Sequence, residues 1–220
     1  ADPEALSREL EASLKALRAD YVDVLQYHGV TADIYDQVIE RFHPVALRAQ
    51  QAGKVRFLGI TESVGDTTHR MLPAAIQSNL FDTIMVRYGI LNQSAAPEVL
   101  PAAQAANLGV LVMAAVRTSL RTPEEAVRHI EQFIAEGLLD MPQPDINDPL
   151  GFTRAGEPVT STTRAAYQLA AEHPAVSSVL IGTGNVEHLK ANVEDILGPR
   201  LTPGQLAHLR HTFGNLTWNA

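Results

Sequence analysis

At 220 residues, with 45% apolar and 19% charged residues, the chain has the balance of a globular protein able to bury a core. It contains no cysteine, which excludes disulfides and thiolate-held metals, and its formal net charge of −8 argues against nucleic acid or an anionic membrane as the main partner. No apolar run approaches the roughly 18 residues of a membrane span, and no basic segment followed by an apolar stretch opens the chain. The expectation is a soluble, cytoplasmic protein.

The opening segment predicts a helix, with Asp2 as N-cap, Pro3 at the first helical position and a stripe of Leu6, Leu10, Leu14 and Leu17. Tyr21–His28, rich in β-branched and aromatic residues, predicts a strand closed by Gly29. A helix over 34–51 stops before Gly53, and Val55–Thr61 reads as the next strand. A helical segment near 67–80 leads to a strand over Thr83–Tyr88. A helix around 96–106 then leads to Gly109–Val116, an apolar run that reads as a strand buried on both faces. The rhythm breaks at the long connection Arg117–Thr160, which carries a helical piece of its own at Pro123–Glu136. A helix over Ser161–Glu172, a strand over Ser177–Ile181, a helix capped at Asn185 and a final helix from Thr202 complete the pattern.

Strands alternating with helices at this pace imply right-handed β–α–β units and a parallel sheet, in one domain over residues 1–220. Five strands can be counted, whereas a closed parallel barrel has eight. The expected fold is therefore α/β, a (β/α)8 barrel that is incomplete, with three units to be sought before residue 1.

In parallel barrels the reactive groups sit where strands end and loops begin. His28 ends the first strand, where a neutral imidazole can donate a hydrogen bond to a carbonyl, or simply bond a loop backbone. Thr61, Glu62 and Ser63 end the second strand and can hold an amide or a sugar hydroxyl, or cap the next helix. Ile181-Gly182-Thr183-Gly184-Asn185 follows the last strand. Its glycines let backbone N–H groups approach an anion and the next helix adds its partial positive charge, so the turn is expected to hold a phosphate; a tight turn with an Asn cap is the alternative. His188 and Asn192, farther along that helix, can reach an adenine or a ribose phosphate, or lie on an exposed face. His208 and His211 have no third ligand at metal-site spacing, and Asp140, Asp145 and Asp148 lack the glycine placement of a calcium loop, so no metal is expected. Gly-x-Ser-x-Gly, the nucleophile elbow, is absent.

These segments resemble the aldo-keto reductases. Leu14-Lys15-Ala16-Leu17 with Asp20–His28 is similar to that family's helix and fourth strand, and Gly53–Thr61 to its fifth-strand signature. Tyr88–Asn92 is similar to the end of its sixth strand, and Gly182-Thr183-Gly184 with Glu187, Leu189 and Asn192 to its cofactor-phosphate motif. The resemblance implies a (β/α)8 barrel that binds NADP(H), or NAD(H), and reduces an aldehyde or ketone or works in reverse on an alcohol or sugar. His28 falls on the family's carbonyl-orienting histidine, and Thr61 and Glu62 on the pair that holds the nicotinamide amide. Gly182, Thr183, Gly184, His188 and Asn192 fall on the region that holds the adenosine phosphates.

Met85 stands where a glutamine usually meets the nicotinamide, and Met113 where an aromatic ring often stacks on it. No arginine lies near the start of the phosphate helix, which leaves NADP and NAD both open. The family's tyrosine, lysine and aspartate belong to strand units that this sequence does not contain, so the expectation is a fragment, lacking the amino-terminal third, that is inactive alone. The expected partner is a small carbonyl or alcohol substrate. A non-catalytic dinucleotide-binding subunit of the same superfamily and an unrelated phosphate-binding barrel lyase are the alternatives.

Overall fold

The structure, a computed structural model, describes residues 2–139, 141, 143–151 and 161–218. Five strands form one sheet in the order β1 (Val22–Val30), β2 (Val55–Glu62), β3 (Thr83–Arg87), β4 (Gly109–Met113) and β5 (Val176–Val179), every neighbouring pair parallel. The helices are α1 (Glu4–Leu17), α2 (Tyr35–Gln51), α3 (Leu72–Ser78), α4 (Val99–Ala105), α5 (Pro123–Ala135), α6 (Thr162–Glu172), α7 (Val186–Leu197) and α8 (Pro203–Phe213). Strand order equals chain order, so each crossover advances by one place, as in a barrel wall. Among the described residues β1 and β5 are the edges of this wall.

Two cores hold it. The larger joins alternate residues of β2, β3 and β4, including Ile60, Ile84, Val86, Val110 and Val112, to α3 through α8. The smaller packs Leu10 and Leu14 of α1 and Ala46 of α2 against Val55 and Leu58. The leucine stripe read from the sequence is thus half buried: Leu10 and Leu14 are inside, Leu17 is exposed. Asp2 does serve the first turn, its carboxylate accepting from the Glu4 amide at 3.0 Å.

Several expected boundaries move, each for a local reason. Gly29 does not close the first strand: it takes a left-handed φ of 66°, shifts the register and lets β1 run on to Val30 opposite Glu62. The Thr61 hydroxyl accepts from the Gly29 amide at 2.6 Å and fixes the bulge. The helix expected over 67–80 begins only at Leu72, because Asp66 turns the preceding loop by accepting from the Thr68 and Arg70 amides at 3.0 and 3.1 Å. The run Gly109–Val116 is not buried on both faces. Val110 and Val112 are fully buried, their neighbours Leu111 and Met113 only half, and Ala114 leaves the strand in a left-handed conformation at φ 61°. The last strand stops at Val179, so Ile181 already belongs to the turn.

Candidate functional site

Because the strands are parallel, His28, Thr61, Glu62, Arg87, Met113 and the glycine turn all lie at the carboxyl-terminal rim of the sheet. They do not form one group.

At the β5 edge the turn Gly182–Gly184 is exposed and its three amides have no partner among the described residues. Asn185 caps α7, its side-chain oxygen accepting from the Glu187 and His188 amides at 2.8 and 3.5 Å, while its own amide donates to the Thr183 hydroxyl at 3.1 Å. The cap expected from the sequence is therefore present. It also occupies the second and third amides of the helix, so the donors left for an anion are those of the turn and of Val186. Gly182, Thr183, His188 and Asn192 line a cavity of about 630 Å³ together with Met113, Leu180 and Tyr167.

Two arginines that sequence reasoning passed over line the same cavity, Arg117 and Arg121. They flank a 3-10 turn, Thr118–Leu120, in the connection that leaves β4, and Thr122 caps α5 immediately after it by accepting from the Glu125 amide at 3.3 Å. No motif announces them; the one available signal was two cations close together in a chain of net charge −8. They supply the positive charge that α7 does not carry near its start. Asp140 and residues 152–160 of the same long connection lie outside the described residues.

At the other edge His28 is exposed and lines a different cavity, of about 320 Å³, with Leu6, Tyr27 and Phe42. The imidazole and the glycine turn share a rim but not a cavity.

Between them, Thr61 and Glu62 are buried and already engaged. Thr61 is 2% exposed with its hydroxyl on Gly29, and Glu62 is 1% exposed. The Glu62 carboxylate lies 2.9 and 3.0 Å from His69 Nδ1 and accepts from the Arg87 amide at 2.7 Å. His69 Nε2 is 2.8 Å from the Ser94 hydroxyl, which also reaches the Thr67 carbonyl at 2.8 Å and Asn92 Oδ1 at 2.5 Å. Burial pushes the Glu62 carboxyl above its ordinary value, with His69 opposing the shift. Met85, half-buried opposite Thr61 in the register, faces the same rim. Among the described residues no group of three or more acidic, histidine or cysteine side chains is placed to hold a metal.

A wall of parallel strands, each followed by a helix, with polar side chains gathered at the strands' carboxyl ends, is the architecture of the α/β-barrel enzymes. The chain belongs to the Aldo/keto reductase family, whose sequence model matches residues 1–211. It is 24% identical over 209 residues to an uncharacterized oxidoreductase, YqkF, of Bacillus subtilis, covering 94% of this chain and 65% of that protein. It is 25% identical to the L-galactose dehydrogenase of Arabidopsis thaliana, covering 98% and 67%. The solved aldo-keto reductase AKR11C1 of Bacillus halodurans, in its holo form, superposes with a TM-score of 0.67 at 21% identity, covering 96% of this chain and 67% of its own. The chain thus spans about two thirds of the length of these relatives. With the family match running over residues 1–211, the expectation of a chain inactive for want of part of its site gains no support. No helix among the described residues is long and apolar enough to cross a membrane.

Proposed function

We propose that the protein is an NAD(P)H-dependent oxidoreductase that reduces an aldehyde or ketone, or oxidises the corresponding alcohol or sugar, by hydride transfer. The observation that carries this reading is the cavity at the β5 edge. Unpartnered turn amides and two guanidinium groups line a space of about 630 Å³, within the roughly 300–1,000 Å³ usual for cofactor sites. That donor set fits a nucleotide's phosphates. The family, and the oxidoreductase and dehydrogenase names of the relatives, support the chemistry.

In this reading the amides of Gly182, Thr183 and Gly184 bind the phosphates, with Arg117 and Arg121 neutralising their charge. His188 and Asn192 meet the adenosine end, and the extra phosphate of NADP(H) gives the two arginines a reason to prefer it over NAD(H). A reduced nicotinamide supplies the hydride when bound. Met85 and Met113 offer apolar contact along the rim, while Thr61 and Glu62, committed to Gly29 and His69, shape that rim rather than offer free groups. His28 donates a hydrogen bond to the substrate's carbonyl oxygen and orients it.

One observation favours a second reading, a dinucleotide-binding subunit without catalysis: His28 and the glycine turn line separate cavities. Carbonyl-dependent oxidation of NADPH, followed by its absorbance across a panel of aldehydes and ketones, separates the two. Turnover that falls roughly 100-fold or more in His28→Ala supports the enzyme; tight NADPH binding with no turnover on any carbonyl sinks it in favour of the second reading.

A further inference from the structure

A third, much smaller cavity lies between the ends of β3 and β4, under the carboxyl-terminal segment. Its floor is made by Gly89, where an added Cβ would sit 3.2 Å from the backbone of Ala115, so only glycine gives this close approach without displacement. Its volume is about 20 Å³, room for one water-sized group. Three polar atoms on its lining residues are buried and have no partner among the described residues: Arg87 Nε, Ser119 Oγ and Trp218 Nε1. Ser119 is 0% and Arg87 3% exposed.

The charge balance is the decisive feature. The remaining nitrogens of Arg87 donate to backbone carbonyls only, that of Trp218 at 3.1 Å and that of Val64. Among the described residues no carboxylate contacts this guanidinium; Glu62 meets the Arg87 backbone amide instead. A second cation, Arg117, lines the same cavity. Burial first and Arg117 next make the protonated guanidinium less favourable than in water, and the nearby Glu62 charge offsets them only in part. A buried cation whose direct hydrogen-bond partners are all neutral is costly, and an anion relieves it. Arginine Nε and indole Nε1 are obligate donors and the serine hydroxyl can donate, so the residues lining the niche carry three buried donors without an acceptor among the described residues.

We propose that this niche is a binding site for a small monovalent anion, a halide or one oxygen of an organic carboxylate, held by Arg87, Ser119 and Trp218 with Arg117 at its outer side. The site is independent of the hydride-transfer reading. Arg117 also lines the larger cavity, so an anion in the niche would draw on a charge that the nucleotide phosphates use.

Trp218 is the chain's one tryptophan, so its indole N–H gives a single resonance that reports the niche directly. Sodium chloride and sodium acetate are titrated in separate arms, in a halide-free buffer with ionic strength held by a bulky sulfonate salt, and acetamide serves as the uncharged counterpart of acetate. A saturable shift of the indole signal is expected with at least one anion and none with acetamide. Saturation by acetate identifies a carboxylate site, and saturation by chloride alone a halide site. Ser119→Val, which removes the hydroxyl and fills the space, should weaken the response at least tenfold. Should that variant fail to fold, Arg117→Gln, whose side chain is exposed, should weaken it in the same direction. The proposal fails if neither anion gives a saturable shift, if acetamide matches acetate, or if the folded variants respond as the wild type does.

Discussion

The β2–β3 rim and the β5–α7 rim are both polar, both lie at the same end of the sheet, and they differ in one respect. At the first, Glu62, His69, Ser94 and Asn92 satisfy one another inside the protein. At the second, the Gly182–Gly184 amides have no partner among the described residues, and Gly182 and Thr183 line a cavity together with the Arg117 and Arg121 side chains. A closed network is spent on stability and an open one is available to a ligand, even where residue types alone make the two look equally functional.

If the first rim is structural, breaking it must cost stability heavily. His69→Ala leaves the Glu62 carboxylate buried without its partner and should destabilise the fold by about 3–5 kcal/mol, read as a lowered urea midpoint. A surface-like loss would mean that the network is open to water.

If the second rim is functional, its substitutions must spare the fold. Arg121→Ala and Arg117→Ala should each weaken NADPH binding by about 1.5–3 kcal/mol, roughly tenfold or more, with the urea midpoint near that of the wild type. Unchanged affinity in both would move the phosphate site elsewhere.

The closed rim also predicts a pH dependence. The folded-state Glu62 carboxyl titrates above its unfolded value, so the folded chain holds the proton more tightly. Its contribution is therefore full below the ordinary carboxylate range and is lost as pH rises through the raised value, at up to about 1.4 kcal/mol per pH unit. Unfolding midpoints for wild type and Glu62→Gln across that range should diverge, the variant giving the flatter profile. Parallel profiles would show that Glu62 ionises in the fold as it does in the unfolded chain.

The smallest expected effect is at the cap. Asn185→Ala should cost about 1 kcal/mol by freeing the Glu187 and His188 amides. Those amides then become available to a phosphate, so affinity for inorganic phosphate should hold or rise while stability falls. A loss of both would give Asn185 a direct part in binding.

Much of the fold was legible because periodicity reports burial. The β–α alternation, the order of the strands and the leucine face of α1 follow from spacings that the packed structure reproduces. What spacing does not report is which polar groups find each other. Glu62 and His69 are seven residues apart in sequence and joined only because the loop between them folds on Asp66. Arg117 and Arg121 share a cavity with the glycine turn across the β4–β5 pairing, a juxtaposition with no local signature. The glycine turn itself was legible, since its residue types and its place after a strand carry the reason for both.

The most direct measurement is the stability of the protein against urea with saturating NADPH, with NADH, and with neither. Nucleotide at about 100 times its dissociation constant should add roughly 2.7 kcal/mol to the unfolding free energy, and Arg121→Ala should require correspondingly more ligand for the same gain. Unfolding curves that coincide with and without both nucleotides would contradict a nucleotide-binding rim at Gly182–Asn192.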